Sequence, residues 1–333
     1  MNNLIIAKNY ETFGDAGLTS NKVIYYKEDN MVKFRANITD NPFGESQIVT
    51  VGEGDNLLKV LREDSSVKSI VIPEGLAKTG YLLKGNKYLT SITIPIGYTK
   101  IGEHFADNCT ALNEINFPST ISEIETSAFS NCTNLESVEL PNNIITIGDS
   151  AFSNCGLQNI NIPNKVTTIS SNAFKDCMML QSINIPESVK LIGTYCFANC
   201  NSLISVTIPN SVTNLGSYAF NNCINLESIN IPNQITSINS GMFTNTKLSS
   251  IIIPNKITSI GGTAFSNDSL VEVNFGNTRT SVPTISSNSF KTSTTNLKFI
   301  VPDALYDTWK AAKIWNTTNY VNKIVRYSDY YNE

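Results

Sequence analysis

The chain has 333 residues, of which 41% are hydrophobic and only 16% charged, well below the roughly 25% charged residues of an average soluble domain. Its net charge of −4 argues against nucleic-acid binding, which requires a basic surface to neutralise phosphates. No apolar run approaches the roughly 18 residues of a membrane-spanning helix, and residues 1–20 lack the basic and long apolar segments of an export signal.

Residues 1–60 contain no repeat, but they do contain predicted strands. Val23–Tyr26 and Met31–Phe34 are rich in β-formers and flank Glu28-Asp29-Asn30, which is typical of a β-hairpin. Gln47–Val51 is a further candidate strand. We therefore expect a small N-terminal β module, which either caps the rest of the chain or anchors it in an assembly.

Three residue types recur in one phase along the middle of the chain, the prolines and cysteines every 22 or 23 residues and the phenylalanines every 22 to 25. They are prolines (Pro73, Pro95, Pro118, Pro141, Pro163, Pro186, Pro209, Pro232, Pro254), phenylalanines (Phe105, Phe129, Phe152, Phe174, Phe197, Phe220, Phe243, Phe265, Phe290) and cysteines (Cys109, Cys132, Cys155, Cys177, Cys200, Cys223). Such a period indicates stacked repeats, each of which buries its apolar residues against its neighbours.

The general form of one repeat is L-x-x-I-x-I-P-x-x-I-T-x-I-G-x-x-A-F-x-x-C. The alternation in L-x-x-I-x-I predicts a short half-buried strand, and the proline ends it because it has no N–H to donate. I-T-x-I predicts a second extended segment, as in Ile257–Ile260. A glycine usually follows, but Glu125 and Ser170 replace it in two repeats, so we expect that this corner does not require a positive φ.

Residues 301–333 contain the sequence DALYDTWKAAKIW, which predicts a helix with Asp303 as its N-cap. The apolar face of this helix comprises Leu305, Trp309 and Ala312. We expect this face, with both tryptophans of the chain, to cover the last repeat. Tyr320–Tyr327 is a candidate final strand.

The repeat resembles the BspA-like, Treponema pallidum-type branch of leucine-rich repeat proteins over about residues 65–300, and VPDALYDTWKAAKIW resembles the end segment of that family. The resemblance implies a β-rich solenoid of leucine-rich repeats of about 23 residues. Members are mostly surface or secreted proteins that bind host proteins or other cells. The resemblance therefore implies a non-enzymatic binding or adhesion protein at a cell surface, with a protein or glycan ligand and no catalytic motif residues.

The cysteines and the single histidine are the first candidates for chemistry. Six cysteines occupy one position per repeat, and such a row does not bring four ligands together on a metal, so we expect buried thiols. Cys196 lies four residues before Cys200, where a local disulfide or a reactive thiol is the alternative. His104 takes the place of Ala128 and Ala151, and no nucleophile motif or phosphate loop accompanies it. We therefore expect no catalytic, cofactor or metal site.

The outward-facing positions of the predicted main sheet form the candidate binding face. They are Thr93, Asn116, Glu139, Asn161, Asn184, Thr207, Asn230 and Asn274, with Glu114, Ser137, Asn159 and Ser182 in the adjacent column. These columns lack the aromatic and arginine side chains that favour tight protein binding, so polar ladders that stabilise the sheet are an equally weighted alternative. We interpret Glu114, Glu136 and Glu139 as a solvated acidic stripe rather than an acid–base pair.

Two functional hypotheses follow from this organisation, which we divide into a β module (1–60), a solenoid (61–300) and a C-terminal cap (301–333). The first is the binding or adhesion protein implied by the resemblance. The alternative is a structural component of a larger assembly, such as a decoration or fibre protein of a phage virion, anchored through residues 1–60. The start at Met1 without an export signal favours that alternative.

Overall fold

The computed structural model describes residues 68–332, except 73–78, 292–295 and 316, together with four strands nearer the N-terminus. The chain is a parallel-strand β-solenoid of about ten turns, as the repeat predicted. It divides into two compact units, Met1–Lys165 and Val166–Glu333.

The first unit contains eleven strands among the residues described. They are β1 (Asn3–Ile6), β2 (Lys22–Glu28), β3 (Met31–Asn37), β4 (Ser46–Val51), β5 (Ser69–Val71), β6 (Ser91–Thr93), β7 (Lys100–Ile101), β8 (Glu114–Asn116), β9 (Glu123–Ile124), β10 (Thr146–Ile147) and β11 (Asn159–Asn161). The main sheet has the order β4-β3-β2-β1-β5-β6-β8, and β7, β9 and β10 form a parallel second sheet.

The N-terminal strands confirm the predicted hairpin. β2 and β3 pair antiparallel, with Val23 opposite Ala36 and Glu28 opposite Met31, and β4 pairs antiparallel with β3. β1 pairs in parallel with β5, placing Asn3 opposite Ser69. The N-terminal strands therefore continue the main sheet of the solenoid rather than forming a sheet of their own.

The second unit repeats the two-sheet arrangement. Its strands are β12 (Thr168–Ile169), β13 (Ser182–Asn184), β14 (Leu191–Ile192), β15 (Ser205–Val206), β16 (Asn214–Leu215), β17 (Ser228–Ile229), β18 (Ser237–Ile238), β19 (Ser250–Ile252), β20 (Ser259–Ile260), β21 (Glu272–Asn274), β22 (Thr284–Ile285), β23 (Lys298–Val301) and β24 (Ile324–Arg326). β19, β21, β23 and β24 form one parallel sheet, and β18, β20 and β22 form another.

The core consists of the predicted isoleucine, phenylalanine and cysteine rows. The phenylalanine rings stack as expected; for example, the centroids of Phe197 and Phe220 lie 5.4 Å apart, with an interplanar angle of 18°. Phe105 is the exception, because its ring meets Phe129 edge-on, at 5.9 Å and 78°. In the turn that contains Phe105, phenylalanine precedes alanine, the reverse of the usual order. Ala106 therefore occupies the position that Phe129 has in the next turn, because each of them donates its N–H to the carbonyl of the residue 22 positions later.

The corner glycines have negative φ, as expected, and serve close packing instead. A Cβ on Gly216 would lie 2.3 Å from the backbone nitrogen of Thr194 in the preceding turn. Positive φ occurs at two other positions of the repeat: the residue before the cysteine, such as Asn199 (63°) and Asn222 (58°), and the position of His104, Ser127 and Ser150. Asparagine and aspartate tolerate this left-handed region better than most residues.

The C-terminal segment contains a 3-10 helix (Asp303–Leu305), α1 (Tyr306–Ala311), β24 and α2 (Tyr327–Tyr331). Trp309 and Trp315 are buried as expected, and β24 lies within the predicted strand. The N-cap prediction for Asp303 is wrong. Its carboxylate accepts hydrogen bonds from the N–H and hydroxyl of Ser328, both at 3.0 Å, and so ties two parts of the cap together.

One predicted strand of the main sheet is absent. Ser137–Glu139 lies between β8 and β11 in the sequence, yet it forms no strand, although its turn has the same apolar alternation as the others. The gap lies within the first unit.

Candidate functional site

The candidate face is built by the alternation of the short main-sheet strands. In β8 and β11 the middle isoleucine is buried and the residues on either side are exposed. Glu114, Asn116, Asn159 and Asn161 are therefore exposed in the first unit, whereas Thr93 is half-buried. Ser137 and Glu139 are exposed as well, but they belong to the segment without a strand.

The second unit presents the same columns, with one correction. Ser182, Asn184, Thr207 and Asn230 are exposed as predicted. Asn274 is not: only 8% of it is accessible, because the C-terminal helix α2 packs over this end of the sheet.

Some of these polar side chains do stabilise the sheet. The amide of Asn230 accepts a hydrogen bond from the N–H of Ile208 and donates one to its C=O, both at 2.8 Å, replacing a backbone rung between two turns. Asn116 donates to Glu114 at 2.9 Å. The side-chain ladder therefore accounts for part of the candidate face.

The rest of the face is open to a ligand. In the described part of the chain, the side chains of Asn184, Ser205, Thr207, Ser228 and Ser250 have no hydrogen-bond partner, and all five are exposed. An exposed polar group without an internal partner exchanges only water when a ligand binds, so these residues are suited to polar contacts with one.

An exposed isoleucine of the repeat column, Ile252 in β19, lies at this end of the face, and α2 adds aromatic residues, which the columns lack. The hydroxyl of Tyr331 accepts a hydrogen bond from Asn274 at 2.6 Å, and that of Tyr330 donates to Glu272 at 3.1 Å. Tyr331 nevertheless remains 50% exposed, and Ile252, the register partner of Asn274, is 70% exposed. The C-terminal tyrosines lie outside the repeat pattern, so no register derived from the repeat could place them on this face.

The electrostatics of this end oppose ionisation of the tyrosines. Burial and the carboxylate of Glu272 raise the pKa of the Tyr330 and Tyr331 hydroxyls above the ordinary value. The ammonium of Lys298 lies over the Tyr330 ring, 5.1 Å from its centroid. Tyr330 and Tyr331 together, which we call the aromatic ledge, lie at the end of the face that carries the exposed Ile252.

The cysteines are structural. All seven lie in the described part of the chain, and all are buried and outside disulfides. In most turns the thiol hydrogen-bonds a backbone carbonyl of the preceding turn, as from Cys223 to Phe197 at 3.1 Å. Burial raises the pKa of Cys196 well above its ordinary value, so neither the disulfide nor the reactive-thiol alternative is supported for it.

His104 belongs to a polar cluster at the start of the solenoid. Its positive φ of 51° matches that of Ser127 and Ser150, so the predicted alignment with Ala128 and Ala151 is wrong by one residue.

The cluster is centred on Asp107. Its carboxylate lies 2.9 Å from both Lys84 Nζ and His104 Nδ1. Burial opposes the ionisation of Asp107, but hydrogen bonds from Lys84, His104 and Asn131 outweigh it and hold the pKa of this carboxyl below its ordinary value. The carboxylate thus ties neighbouring turns together.

Within the described ranges, no three histidine, cysteine, aspartate or glutamate side chains converge in a way that would hold a metal ion. Nor is any helix there long and apolar enough to cross a membrane.

Comparisons with solved structures return leucine-rich repeat proteins. One from Bacteroides ovatus is 25% identical, with 83% of this chain and 70% of that chain covered and a TM-score of 0.64. A leucine rich cell surface protein from Faecalibacterium prausnitzii is 22% identical, with 86% and 97% covered and a TM-score of 0.42. The pneumococcal vaccine antigen PcpA is 17% identical, with 93% and 99% covered and a TM-score of 0.45. No protein of curated function matches the chain.

The sequence family described as BspA type Leucine rich repeat region matches residues 59–181 and 167–298, in six copies. These ranges span most of the 333 residues and contain the turns that carry the candidate face. The chain therefore belongs to the BspA-type leucine-rich repeat family.

Proposed function

We propose that this protein is a non-enzymatic binding protein whose partner protein docks on the exposed main-sheet face of the second unit. The observation that carries the proposal is the open row of hydroxyl and amide side chains that ends at Ile252 and Tyr331. Protein interfaces combine a few aromatic or apolar anchors with a polar, hydrated surround. An ordered tyrosine held by its hydroxyl loses little conformational entropy on binding, which suits it to be an anchor.

The potentially reactive side chains, the thiols and His104, favour a binding role over catalysis. The thiols are buried and hydrogen-bonded, and His104 is held by Asp107. A nucleophile poised against a base would be required for covalent catalysis. Family membership adds support for adhesion at a cell surface or in secreted form, since members are mostly surface or secreted proteins.

The test immobilises the full chain and screens fibronectin, laminin, collagen and mucin as protein ligands, with a glycan array as the competing class. Thr207→Arg with Ser228→Arg places two bulky charges on the open face. We expect this double variant to weaken binding of a captured protein at least tenfold, because the steric block falls on the contact surface.

Asn214→Arg with Thr236→Arg is the matched control, since both residues are exposed in or next to β16 and β18, strands of the other sheet of the same unit. This control variant should bind as the unsubstituted chain does. Equal binding by Thr207→Arg with Ser228→Arg, or capture of glycans alone, would contradict the proposal.

A further inference from the structure

The gap in the main sheet of the first unit exposes backbone hydrogen-bonding groups. In the turns of Ile72, Ile94 and Ile253 the residue before the proline donates its N–H to a backbone carbonyl of the next turn, as Ile94 does to Asn116 at 2.9 Å, whereas Ile162, Ile185 and Ile231 make no such bond among the described residues. The equivalent N–H of Phe117 has no such bond, and the N–H and C=O groups of Ser137–Leu140 make none within the described part of the chain. Neighbouring Glu136 accepts two hydrogen bonds from Gln158, at its C=O from the backbone N–H at 2.9 Å and at its carboxylate from Nε2 at 3.1 Å.

The same gap uncovers apolar residues of the core. Phe117 and Leu140 precede a proline in their turns, a position at which Ile94, Ile162 and Ile208 are at most 4% exposed. Both are only half-buried here. Val138, in the strand-centre position, is half-buried too.

Phe117, Glu139 and Leu140 line one cleft with a volume of about 340 Å³, near the lower end of the size of ligand pockets. The lining residues are Phe117, Ser119, Glu139, Leu140, Pro141, Asn142 and Asn143. The cleft therefore combines the apolar side chains of Phe117, Leu140 and Pro141 with the unpaired backbone N–H and C=O groups of Glu139 and Leu140.

The cleft has one acidic lining residue, Glu139. Glu114 and Glu136 lie on the same two turns. No lysine, arginine or histidine is among the lining residues; Lys165 touches the rim through Asn143, at 2.7 Å. A ligand with positive charges beside an apolar group would match this distribution.

We propose that this cleft binds an extended peptide segment of a partner protein, in which an apolar side chain is flanked by lysine or arginine. An extended peptide offers main-chain N–H and C=O groups to the unpaired backbone, its apolar side chain covers Phe117 and Leu140, and its cations face the glutamates. This inference rests on the proposed protein-binding function and names the chemistry of a second contact, in the first unit.

The test uses three fluorescein-labelled pentapeptides and the full chain, with anisotropy as the readout. The alternating lysine–leucine peptide should bind, whereas the glutamate–leucine and lysine–serine peptides should bind at least about tenfold more weakly. Glu114→Gln with Glu139→Gln should weaken lysine–leucine binding several-fold. Glu103→Gln with Glu187→Gln, which removes two exposed charges elsewhere, should leave binding unchanged.

Hydrogen exchange supplies an independent readout. The amides of 137–140 should exchange quickly in the free protein, faster than those of 182–184 in β13, and slow down when the lysine–leucine peptide is bound. No binding at about 1 mM peptide, equal binding of all three peptides, or binding that ignores the Glu114 and Glu139 substitutions would overturn the inference.

The face variants separate this inference from the proposed function. Thr207→Arg with Ser228→Arg should bind the lysine–leucine peptide normally, because both positions lie in the second unit. If the lysine–leucine peptide does not bind while a protein is still captured on the second-unit face, the proposed peptide binding in the cleft is wrong and the proposed function stands.

Discussion

At the scale of single residues, asparagine has two roles in the repeat. It adopts the left-handed conformation before the cysteine, and its side chain bonds the equivalent residue of the next turn. In the second unit, Asn222 donates to Asn199 at 3.0 Å and accepts from Asn245 at 2.8 Å. A short polar side chain that tolerates positive φ and both donates and accepts satisfies both demands. This role accounts for part of the 43 asparagines in the chain.

Asn222→Ala should lower the free energy of unfolding by about 2–3 kcal/mol. The substitution removes two hydrogen bonds, and it places alanine, whose side chain makes no compensating local hydrogen bond, at φ 58°. Asn222→Gly retains the conformational freedom and loses only the bonds, so it should cost less. Urea denaturation measures both. Equal stability of the alanine variant and the unsubstituted chain would show that the ladder contributes nothing.

At the scale of secondary-structure elements, the helix α2 defines where the candidate face ends. It covers β21, buries Asn274 and holds two tyrosines against Glu272. The strands that face it come from the repeat, whereas the helix does not. The face therefore changes from a uniform polar surface to an aromatic ledge within one turn, between Ile252 and Asn274.

Tyr331→Phe tests how this helix is held. The substitution leaves the amide of Asn274 without its partner at 2.6 Å, so the free energy of unfolding should fall by about 1–3 kcal/mol. Tyr327→Phe is the control, since its hydroxyl makes no hydrogen bond among the described residues. Thermal unfolding monitored by circular dichroism would compare the two. A larger loss for Tyr327→Phe would contradict this account of the helix.

At the scale of the whole molecule, four buried cysteines, Cys155, Cys196, Cys200 and Cys223, make stability depend on pH. Burial raises the pKa of Cys223 to about 12 and that of Cys155 and Cys200 well above the ordinary value. The unfolded thiols ionise near pH 8.5, so the folded state holds these protons more tightly. Their contribution to stability is complete below about pH 8.5 and is lost as the pH rises toward 12.

Comparison of urea denaturation at pH 7 and pH 10 measures this loss. The free energy of unfolding should fall between the two values, and Cys223→Ala should show a drop smaller by about 1–2 kcal/mol. Iodoacetamide should leave the native thiols unmodified at pH 8, and dithiothreitol should not change the unfolding temperature. Rapid alkylation of the native protein would contradict the burial of this row.

The periodic part of this molecule could be predicted from the sequence because each turn repeats the same physical solution. Pro, Phe and Cys marked the strands, the ring stack and the thiol row, and the structure has all three. The missing strand at Ser137–Glu139 could not be predicted, because its local pattern is that of its neighbours. The burial of Asn274 and the partner of Asp303 depend on α2, which lies beyond the repeat and packs through contacts that are distant in sequence.

The asparagine ladder also bears on how such a gene changes length. Asn199, Asn222 and Asn245 are spaced 23 residues apart, and each bond has the same form. Deleting 200–222 would join Asn199 directly to the turn that carries Asn245. Asn245 could then donate to Asn199 as Asn222 does now, so the two bonds of Asn222 would be replaced by one bond of the same form. Unequal recombination that removes or duplicates one whole period therefore leaves no broken bond at the junction. The same event out of phase by a few bases or codons would disrupt the left-handed position, the thiol and the ring stack at once.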